Sequence, residues 1–438
     1  MGLCIFEAKV DFMNYINSLS FAQEQDNKDP LRLFRDEFHF PNFNPNGCFY
    51  FTGNSLGLMP KKAKEAINQE LDDWAMYGVE GHFHAKNPWV SYHEIFKKGA
   101  AKVVGAKVSE VIVMNGLTTN LHLMMASFYQ PKGKRYKILC EAKAFPSDQY
   151  ALESQVKFHN FDPEDAIIEI SPREGEHTIN QEDIYDAIRI HGDEIALIMI
   201  GGVNYYTGQV FDMKTITEKG HKAGAIVAFD LAHGAGNIEL KLHEWGVDFA
   251  AWCTYKYLNS GPGAISGVFV HERHGKNSDL KRFAGWWGTP SEGRFKMAKG
   301  FEPAIGADGW QLSNAPVLCM TAHKVALDLF EAAGADQLFE KRDALTGFLE
   351  FVINEVSAKN PNANFEIITP KNKKERGSQI SILTHGTGKE LFDYITEKGV
   401  IADWREPNVI RMAPVPMYNS FEDVYQFGKL LDEGLKKI

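Results

Sequence analysis

Two apolar runs in the middle of the chain each lead to a residue that could do chemistry. Residues 226–229 form a largely β-branched and aromatic run that stops at Asp230, and residues 249–253 lead through Thr-Tyr to Lys256. Ligands of open α/β sheets bind outside the carboxyl ends of the strands, so both charged groups would face one crevice. This pair fits pyridoxal phosphate, because a lysine can form its Schiff base and a carboxylate can keep its pyridine nitrogen protonated.

Each of these residues also has an ordinary structural explanation. An aspartate after a strand commonly caps a helix or forms a turn, and a lysine there is commonly solvated. The combination of Asp-Leu-Ala-His with Thr-Tyr-Lys-Tyr before a Gly-Pro-Gly loop is far more specific than either residue. A dinucleotide site fails on spacing, because Gly234 and Gly236 are followed by Glu239 where the third glycine should be.

Other residues fit a phosphate-bearing aromatic cofactor and an amino-acid substrate. Leu117 and Thr118 follow a strand-like run, where helix amides and a hydroxyl can hold a phosphate, although Thr118 could equally be a plain helix cap. Phe145 could stack on a planar ring or simply pack in the core. His233 could contact the cofactor or be a hydrogen-bonded core histidine. Arg411 suits a bidentate grip on a carboxylate, and a structural ion pair is the alternative.

Composition excludes several classes of function. The 438 residues carry a formal net charge of −10 and no basic stripe, which argues against nucleic acid as the partner. The odd number of cysteines and the absence of any CxxC pair indicate reduced thiols in a cytoplasmic protein. We expect no signal peptide and no membrane span. His82 and His84 have no third ligand at a recognisable spacing, so we expect no metal site.

The order of elements predicts an α/β protein. Strand-like runs at 111–114, 136–140 and 195–200 alternate with helical segments, among them 213–223 with Gly224 as its stop, which predicts a mostly parallel sheet. Helical spacing of Ala63, Ile67, Leu71 and Trp74 predicts a helix after Pro60. After residue 315 the pattern changes to α+β. We therefore predict an N-terminal arm (1–50), a large cofactor-binding domain (51–315) and a small C-terminal domain (316–438).

Taken together, the motifs resemble the kynureninase family, pyridoxal-phosphate hydrolases of the aspartate-aminotransferase fold (fold type I). The resemblance runs from Gly53 to about Phe421. It rests on GNSLGL from Gly53, GHF and PW within 81–89, NGLTTNLH from 115, FPSD from 145, YYTGQ from 205, DLAHGAGN from 230, WCTYKYLNSGPG from 252, GWWG from 285, LSNAP from 312 and IRMAPVPMYNSF from 410.

The resemblance implies a role for each matching residue. Lys256 is the Schiff-base lysine, Asp230 the partner of the pyridine nitrogen and Tyr255 a proton carrier. The implied cofactor-binding residues are Leu117, Thr118, Phe145, Pro146, Ser147, Asp148, Asp230, His233, Tyr255, Lys256, Trp286 and Asn314. The implied substrate-binding residues are Ser55, His82, Ser313, Asn314 and Arg411.

The resemblance also implies a homodimer with shared active sites, in which Trp286 and Asn314 reach the neighbouring subunit's site. Its reaction is hydrolysis of L-kynurenine or 3-hydroxy-L-kynurenine to anthranilate or 3-hydroxyanthranilate and L-alanine, in tryptophan degradation and NAD biosynthesis. Polar residues at the ring-lining positions favour the hydroxylated substrate, and acceptance of both substrates is the alternative. Two departures put contacts in doubt, because Gly201 replaces a common small hydroxyl residue and Asn87 a frequent arginine.

Two other functions stay open from the residues alone. A cysteine desulfurase of the same fold needs a cysteine nucleophile in a mobile loop, and no cysteine follows Lys256 in an obvious Gly/Ser-rich loop. A non-catalytic cofactor-binding protein would be favoured if Lys256 or Arg411 were missing, and both are present.

Overall fold

The structure, a computed structural model, describes residues 14–45, 47–363, 365–386 and 388–438. Residues 1–13 and 46 of the predicted N-terminal arm lie outside these ranges. The α-helices of the described residues are α1 (Leu19–Lys28), α2 (Ala63–Tyr77), α3 (Gly81–His84), α4 (Glu94–Val104), α5 (Leu117–Phe128), α6 (Pro146–Phe158), α7 (Pro163–Ala166), α8 (Gln181–His191), α9 (Met213–Ala223), α10 (Leu242–Trp245), α11 (Val317–Ala333), α12 (Ala335–Lys359), α13 (Gly388–Glu397) and α14 (Phe421–Leu435).

The strands form one large sheet, one smaller sheet and two short pairs. In chain order they are β1 (Phe38–His39), β2 (Phe49–Tyr50), β3 (Met59–Pro60), β4 (Val111–Met114), β5 (Lys137–Glu141), β6 (Ile167–Ile170), β7 (Ile195–Gly201), β8 (Ile226–Asp230), β9 (Phe249–Cys253), β10 (Ser266–Val270), β11 (Phe365–Ile367), β12 (Ile380–Thr384), β13 (Val400–Ile401), β14 (Asp403–Arg405) and β15 (Val409–Met412).

The large sheet has seven strands in the order β4-β10-β9-β8-β7-β5-β6. Only β10 runs antiparallel to its neighbours. The sheet is therefore mostly parallel, as the sequence predicted. Both faces of the sheet are covered. Val227 and Phe229 of β8 pack into the core on one face, and Ala228 packs into the core on the other. Strands buried on both faces are continuous apolar runs, which is why the sequence predicted β8 and β9 correctly.

The smaller sheet is antiparallel, in the order β11-β12-β15-β14, and packs with α12 and α14. Residues from the N-terminal part of the chain pack beside it. Strand β2 forms a separate pair with β13, and Phe21 and Phe51 lie in the core that the smaller sheet shares with α12 and α14. The described part of the predicted arm is thus packed against the C-terminal region. The boundaries at 50 and 315 stay a prediction.

The helix expected after Pro60 is present as α2, but its apolar spacing does not mark its buried face. Leu71 and Trp74 are exposed, Trp74 by 61%. The buried residues of α2 are Ala63, Glu70 and Asp73. The Glu70 carboxylate accepts hydrogen bonds from the Trp89 indole (2.9 Å) and the Asn87 amide (3.0 Å). A polar network therefore decides which face of α2 turns inward. No helix among the described ranges is long and apolar enough to cross a membrane.

Candidate active site

The carboxyl ends of the parallel strands meet at one edge of the large sheet, where they surround a cavity of about 360 Å³. Glu141, Gly201 and Asp230 are the last residues of β5, β7 and β8, which lie side by side. Lys256 follows β9 by three residues, and α5 begins at Leu117 directly after β4. The fold thus brings residues far apart in the sequence to the place where ligands bind in open α/β sheets.

Most of the predicted site residues line this cavity. Those that do are Ser55, Leu117, Thr118, Phe145, Ser147, Asp148, Asp230, His233, Tyr255, Lys256 and Arg411. Those that lie outside it are His82, Pro146, Trp286, Ser313 and Asn314. Residues that line it without having been singled out as site residues include Asn54, Glu141, Val203, Tyr205, Ser266 and Arg405.

Lys256 contacts the predicted cofactor histidine directly. Its Nζ lies 2.8 Å from Nε2 of His233. Burial and the charge of Lys256 hold the pKa of His233 well below its usual range, so the imidazole is neutral and accepts the hydrogen bond. Nδ1 of His233 is then the protonated nitrogen, and it is buried without a partner in the described part of the chain.

Asp230 shares a hydrogen bond with Asp148. Burial raises the pKa of both groups, and that of Asp148 rises well above its usual value because Asp230 lies next to it. The hydrogen bond between them lowers the pKa of Asp230 and raises that of Asp148, so the shared proton lies on Asp148, which donates it to Asp230. Asp230 also accepts the backbone N–H of Ala232 at 2.7 Å. A carboxylate fixed in this way is suited to binding a protonated ring nitrogen.

The N-terminus of α5 provides an anion-binding end to the cavity. Gly116 caps the helix without a side-chain hydrogen bond to its first amides, and Leu117 and Thr118 line the cavity. Free amides and the helix dipole at this position attract a phosphate. The Phe145 ring is 43% exposed at the cavity wall and meets the Tyr205 ring edge to face at 5.3 Å, so one of its faces can stack on a ligand ring.

Two arginines form another part of the wall, and both have Asp403 as their ion-pair partner. Arg411 is fully buried, and its guanidinium donates to the carbonyl oxygen of Tyr205 and to Asp403, both at 2.6 Å. Arg405 comes from the neighbouring strand β14 and also lines the cavity. Arg411, the residue predicted to bind a carboxylate, therefore lines the cavity, and so does Arg405, which the sequence analysis did not single out.

Glu141 is a further buried acid that the sequence analysis did not single out. Its carboxylate accepts the Gly201 N–H at 2.8 Å, and burial raises its pKa to about 7. Like Asp230, it ends a central strand, and that position was the available signal. At the Gly201 departure, a Cβ would lie 2.8 Å from Oε1 of Glu141, so glycine there leaves room for this acid.

The residues outside the cavity lie on the surface of the single chain. Trp286 is 45% exposed and its indole donates to the Arg294 carbonyl at 3.0 Å. Ser313 and Asn314 are exposed. His82 is half-buried, with Nδ1 at 2.9 Å from the Val79 carbonyl oxygen. Neither these four residues nor Pro146, which is also exposed, lines the cavity of this chain.

The cavity offers a suitable partner to each functional group of pyridoxal phosphate, namely its phosphate, its ring, its ring nitrogen and its aldehyde carbon. The groups that line the cavity beside the lysine amine are an imidazole nitrogen without a partner among the described residues, a buried aspartate that accepts a backbone N–H, a helix N-terminus without a side-chain cap and an exposed aromatic face. Known structures with this fold support the same class. A cysteine desulfurase of Escherichia coli superposes with a TM-score of 0.74 at 15% identity, over 93% of this chain and 99% of that one. The protein has fold type I of the pyridoxal-phosphate-dependent enzymes.

Sequence relatives define the family within this class. The family model described as kynureninase C-terminal domain matches residues 339–431. A kynureninase of Flavobacterium johnsoniae is 58% identical over 423 residues, which cover 97% of this chain and 99% of the relative. A kynureninase of Flavobacterium psychrophilum is 57% identical with the same coverage. The chain belongs to the kynureninase family.

Proposed function

We propose that the protein is a pyridoxal-phosphate enzyme that hydrolyses L-kynurenine, or its 3-hydroxy form, to anthranilate, or 3-hydroxyanthranilate, and L-alanine. The observation that carries this proposal is the cavity that joins Lys256, the Asp230–Asp148 pair and Arg411 in a chain 58% identical to a kynureninase. The bond that breaks joins Cβ to the ring-bearing carbonyl carbon, and water supplies the oxygen of the new carboxylate.

The bound cofactor would supply an electron-withdrawing ring that stabilises negative charge on the amino-acid carbons. Asp230, the residue that would hold the ring nitrogen, is fixed as a carboxylate by Asp148 and the Ala232 N–H. Phe145 would lie against the ring, and Thr118 with the first amides of α5 would hold the phosphate. Ser147 is in reach of the same ligand because it lines the same wall.

Lys256 moves protons between the amino-acid carbons. Its amine, once free of the cofactor and neutral, can take the proton from Cα and return it after the bond has broken. Burial raises the pKa of the Tyr255 hydroxyl, so this group is protonated at neutral pH and can donate. His233 stays neutral beside Lys256, which keeps a second positive charge away from the amine.

The alternative of a cysteine desulfurase is disfavoured by the cavity. No cysteine is among its lining residues in the described part of the chain. Cys253, which directly precedes Thr254-Tyr255-Lys256, is buried, and burial raises the pKa of its thiol, so it is not a reactive thiolate. Cysteine desulfurases resemble this chain at 15% identity, which reflects the shared fold.

We also propose a homodimer in which each subunit completes the other's site. Trp286 and Asn314 lie on the surface away from their own chain's cavity, as the shared-site hypothesis requires. The segment around Trp286 also exposes several apolar side chains, among them Phe283, Phe295, Met297 and Ile305. Such exposure is typical of an interface between subunits. A cytoplasmic location is a further proposal, in keeping with the free thiols at Cys48, Cys140, Cys253 and Cys319.

The test of this function combines a spectrum with an assay. Purified protein loaded with pyridoxal phosphate should show a visible absorbance band, and incubation with L-kynurenine or 3-hydroxy-L-kynurenine should release the corresponding anthranilate and equimolar alanine. Alanine without an aromatic product, or sulfide release from cysteine, would contradict the proposal.

A further inference from the structure

Arg405 lines the same cavity as Arg411, but its side chain is more exposed and its ion pair with Asp403 is longer. It is the last residue of β14, next to β15, which carries Arg411. Its side chain is 37% exposed, whereas that of Arg411 is 1% exposed. The positive charges of both arginines lower the pKa of His233, so both are close enough to act on a charged ligand beside Lys256.

Arg411 has already committed much of its hydrogen-bonding capacity. Nη1 donates to the Tyr205 carbonyl and Nη2 to Asp403, both at 2.6 Å, and its charge is balanced by Asp403. This geometry fixes the guanidinium rigidly in the wall. A neutralised, fully buried arginine is well placed to orient a ligand but contributes little net charge to attract one.

Arg405 has the opposite character. Its nearest charged partner is Asp403, at 3.8 Å, a long contact for a partly exposed pair. The Nε atoms of both arginines are buried without an acceptor in the described part of the chain, so the difference lies at the terminal nitrogens. Both Nη atoms of Arg411 donate at 2.6 Å, whereas the ion pair of Arg405 with Asp403 is 3.8 Å long. The Arg405 guanidinium therefore has donors to offer to a ligand in the cavity.

The charges of this cluster match a monocarboxylate. Arg405 and Arg411 carry two positive charges and Asp403 one negative charge, which leaves one positive charge facing the cavity. The acids that line the cavity are Asp148, Asp230 and Glu141. They lie in α6 and at the ends of β8 and β5, and they do not belong to this cluster. Without Arg405 the cluster would be neutral, and a substrate carboxylate would be desolvated without a net counter-charge.

We propose that Arg405 is a substrate-binding residue that pairs with the amino-acid α-carboxylate, while the buried Arg411 fixes the direction in which that carboxylate lies. This proposal rests on the proposed function, since it takes an amino acid as the substrate. It assigns the attraction of the substrate to Arg405 and its orientation to Arg411.

The test compares three variants of the cofactor-loaded enzyme. Arg405→Gln removes the charge, Arg405→Lys keeps it, and Arg173→Gln is the control because Arg173 pairs with Asp183 on the surface away from the cavity. Arg405→Gln should raise KM by about 10- to 100-fold with kcat changed only a few-fold, as expected for loss of a charged hydrogen bond in binding. Arg405→Lys should recover part of the KM, and Arg173→Gln should behave as wild type.

A second measurement follows binding without turnover. The change in cofactor absorbance gives the Kd of L-alanine and of ethylamine, which lacks the carboxylate. Arg405→Gln should weaken alanine binding about as much as it raises KM and leave ethylamine binding unchanged. An unchanged KM and alanine Kd, or an equal loss with ethylamine, would overturn the assignment. If wild type binds alanine but does not cleave kynurenine, the proposed function fails while the binding test of Arg405 still stands.

Discussion

The amine of Lys256 lies 2.8 Å from Nε2 of His233, whose neutral, buried imidazole lines the cavity. This contact ties the loop after β9 to the turn after β8, and so couples the two strand ends that the sequence singled out. His233 therefore positions the amine before the cofactor binds. Its protonated Nδ1, which has no partner among the described residues, remains available to a ligand.

Replacement of Lys256 is predicted to abolish both cofactor attachment and turnover. Lys256→Ala removes the amine that bonds to the cofactor and moves protons, so the visible absorbance band and product formation should both be lost. Lys256→Arg is the matched variant, because it keeps the positive charge near His233 but cannot form the bond, and it should be equally inactive. Absorbance spectra and a product assay check both variants. Normal turnover by Lys256→Ala would remove this residue from the mechanism.

Removal of the carboxylate charge at Asp230 is predicted to lower the reaction rate far more than the same change at its neighbour Asp148. Asp230→Asn should lower the rate by well over ~100-fold while the cofactor still binds, because an unprotonated ring is a poor electron sink. Asp148 already holds a proton in the pair, so Asp148→Asn preserves a hydrogen-bond donor and should cost much less. The measurements are kcat and the cofactor Kd of each variant. Near-normal activity of Asp230→Asn would show that its carboxylate only caps the following turn.

The sequence predicts the parts of the fold that local patterns determine. Strands β8 and β9 are continuous apolar runs, and α9 ends where Gly224 adopts a left-handed backbone, so both could be predicted without long-range contacts. The inward face of α2 could not, because Glu70 is buried by partners from residues 87–92.

The site shows the same limit. Asp230 and Lys256 stand out because each follows an apolar run, and the motifs around them are specific. Glu141 ends an apolar strand, as Asp230 does, but its contact with Gly201, 60 residues away in the sequence, is visible only in the fold. Arg405 reaches the site through the pairing of β14 with β15. Contacts of this kind leave no local pattern.

The shared-site hypothesis predicts that two inactive variants can restore activity together. Lys256→Ala and Asn314→Ala should each be inactive as homodimers, but a mixed dimer would contain one site with both an intact Lys256 and an intact Asn314. Partial recovery of activity after subunit exchange is therefore expected, up to half the wild-type value per mixed dimer. Exchange is verified with two differently tagged chains, and a mixture of Lys256→Ala with Asp230→Ala is the control that should not recover. Proven exchange without recovery would place each site within one chain.

A buried charge cluster around Asp248 is predicted to make stability depend on acid pH. Burial alone would raise the pKa of Asp248, but hydrogen bonds from His221, His274 and Arg273 outweigh it and hold the pKa far below its unfolded value of 3.8. The unfolded chain therefore binds a proton that the folded protein does not, so this stability is present above the unfolded pKa and lost as the pH falls through and below about 4.

Asp248→Asn tests this directly. The variant should lose about 3–5 kcal/mol at pH 7, the typical cost of breaking a buried charged network, and its Tm should approach that of wild type as the pH falls from about 5 to 3. Thermal unfolding across this range measures both effects. Asp193→Asn is the control, because Asp193 pairs with Lys134 on the exposed surface and its loss should leave Tm unchanged. A constant difference between the two curves at every pH would contradict the assigned pKa.

The last prediction concerns the substrate ring, where kynurenine and 3-hydroxykynurenine differ by one hydroxyl. A site that hydrogen-bonds this hydroxyl can reject the analogue without it strongly, whereas an apolar pocket discriminates weakly. The residues implied for the ring are His82, Ser313 and Asn314, and Nδ1 of His82 is already occupied by the Val79 carbonyl, which leaves its Nε2 for a ligand. We expect wild type to have the higher kcat/KM for 3-hydroxykynurenine. The double variant His82→Phe plus Asn314→Thr should shift the ratio of the two kcat/KM values towards kynurenine.

The control for this test is His84→Phe, a change at an exposed residue that should leave the ratio of the two kcat/KM values unchanged. A wild type that already prefers kynurenine would make the polar-pocket hypothesis wrong, although membership of the family would stand, because it rests on the whole chain and not on these three side chains.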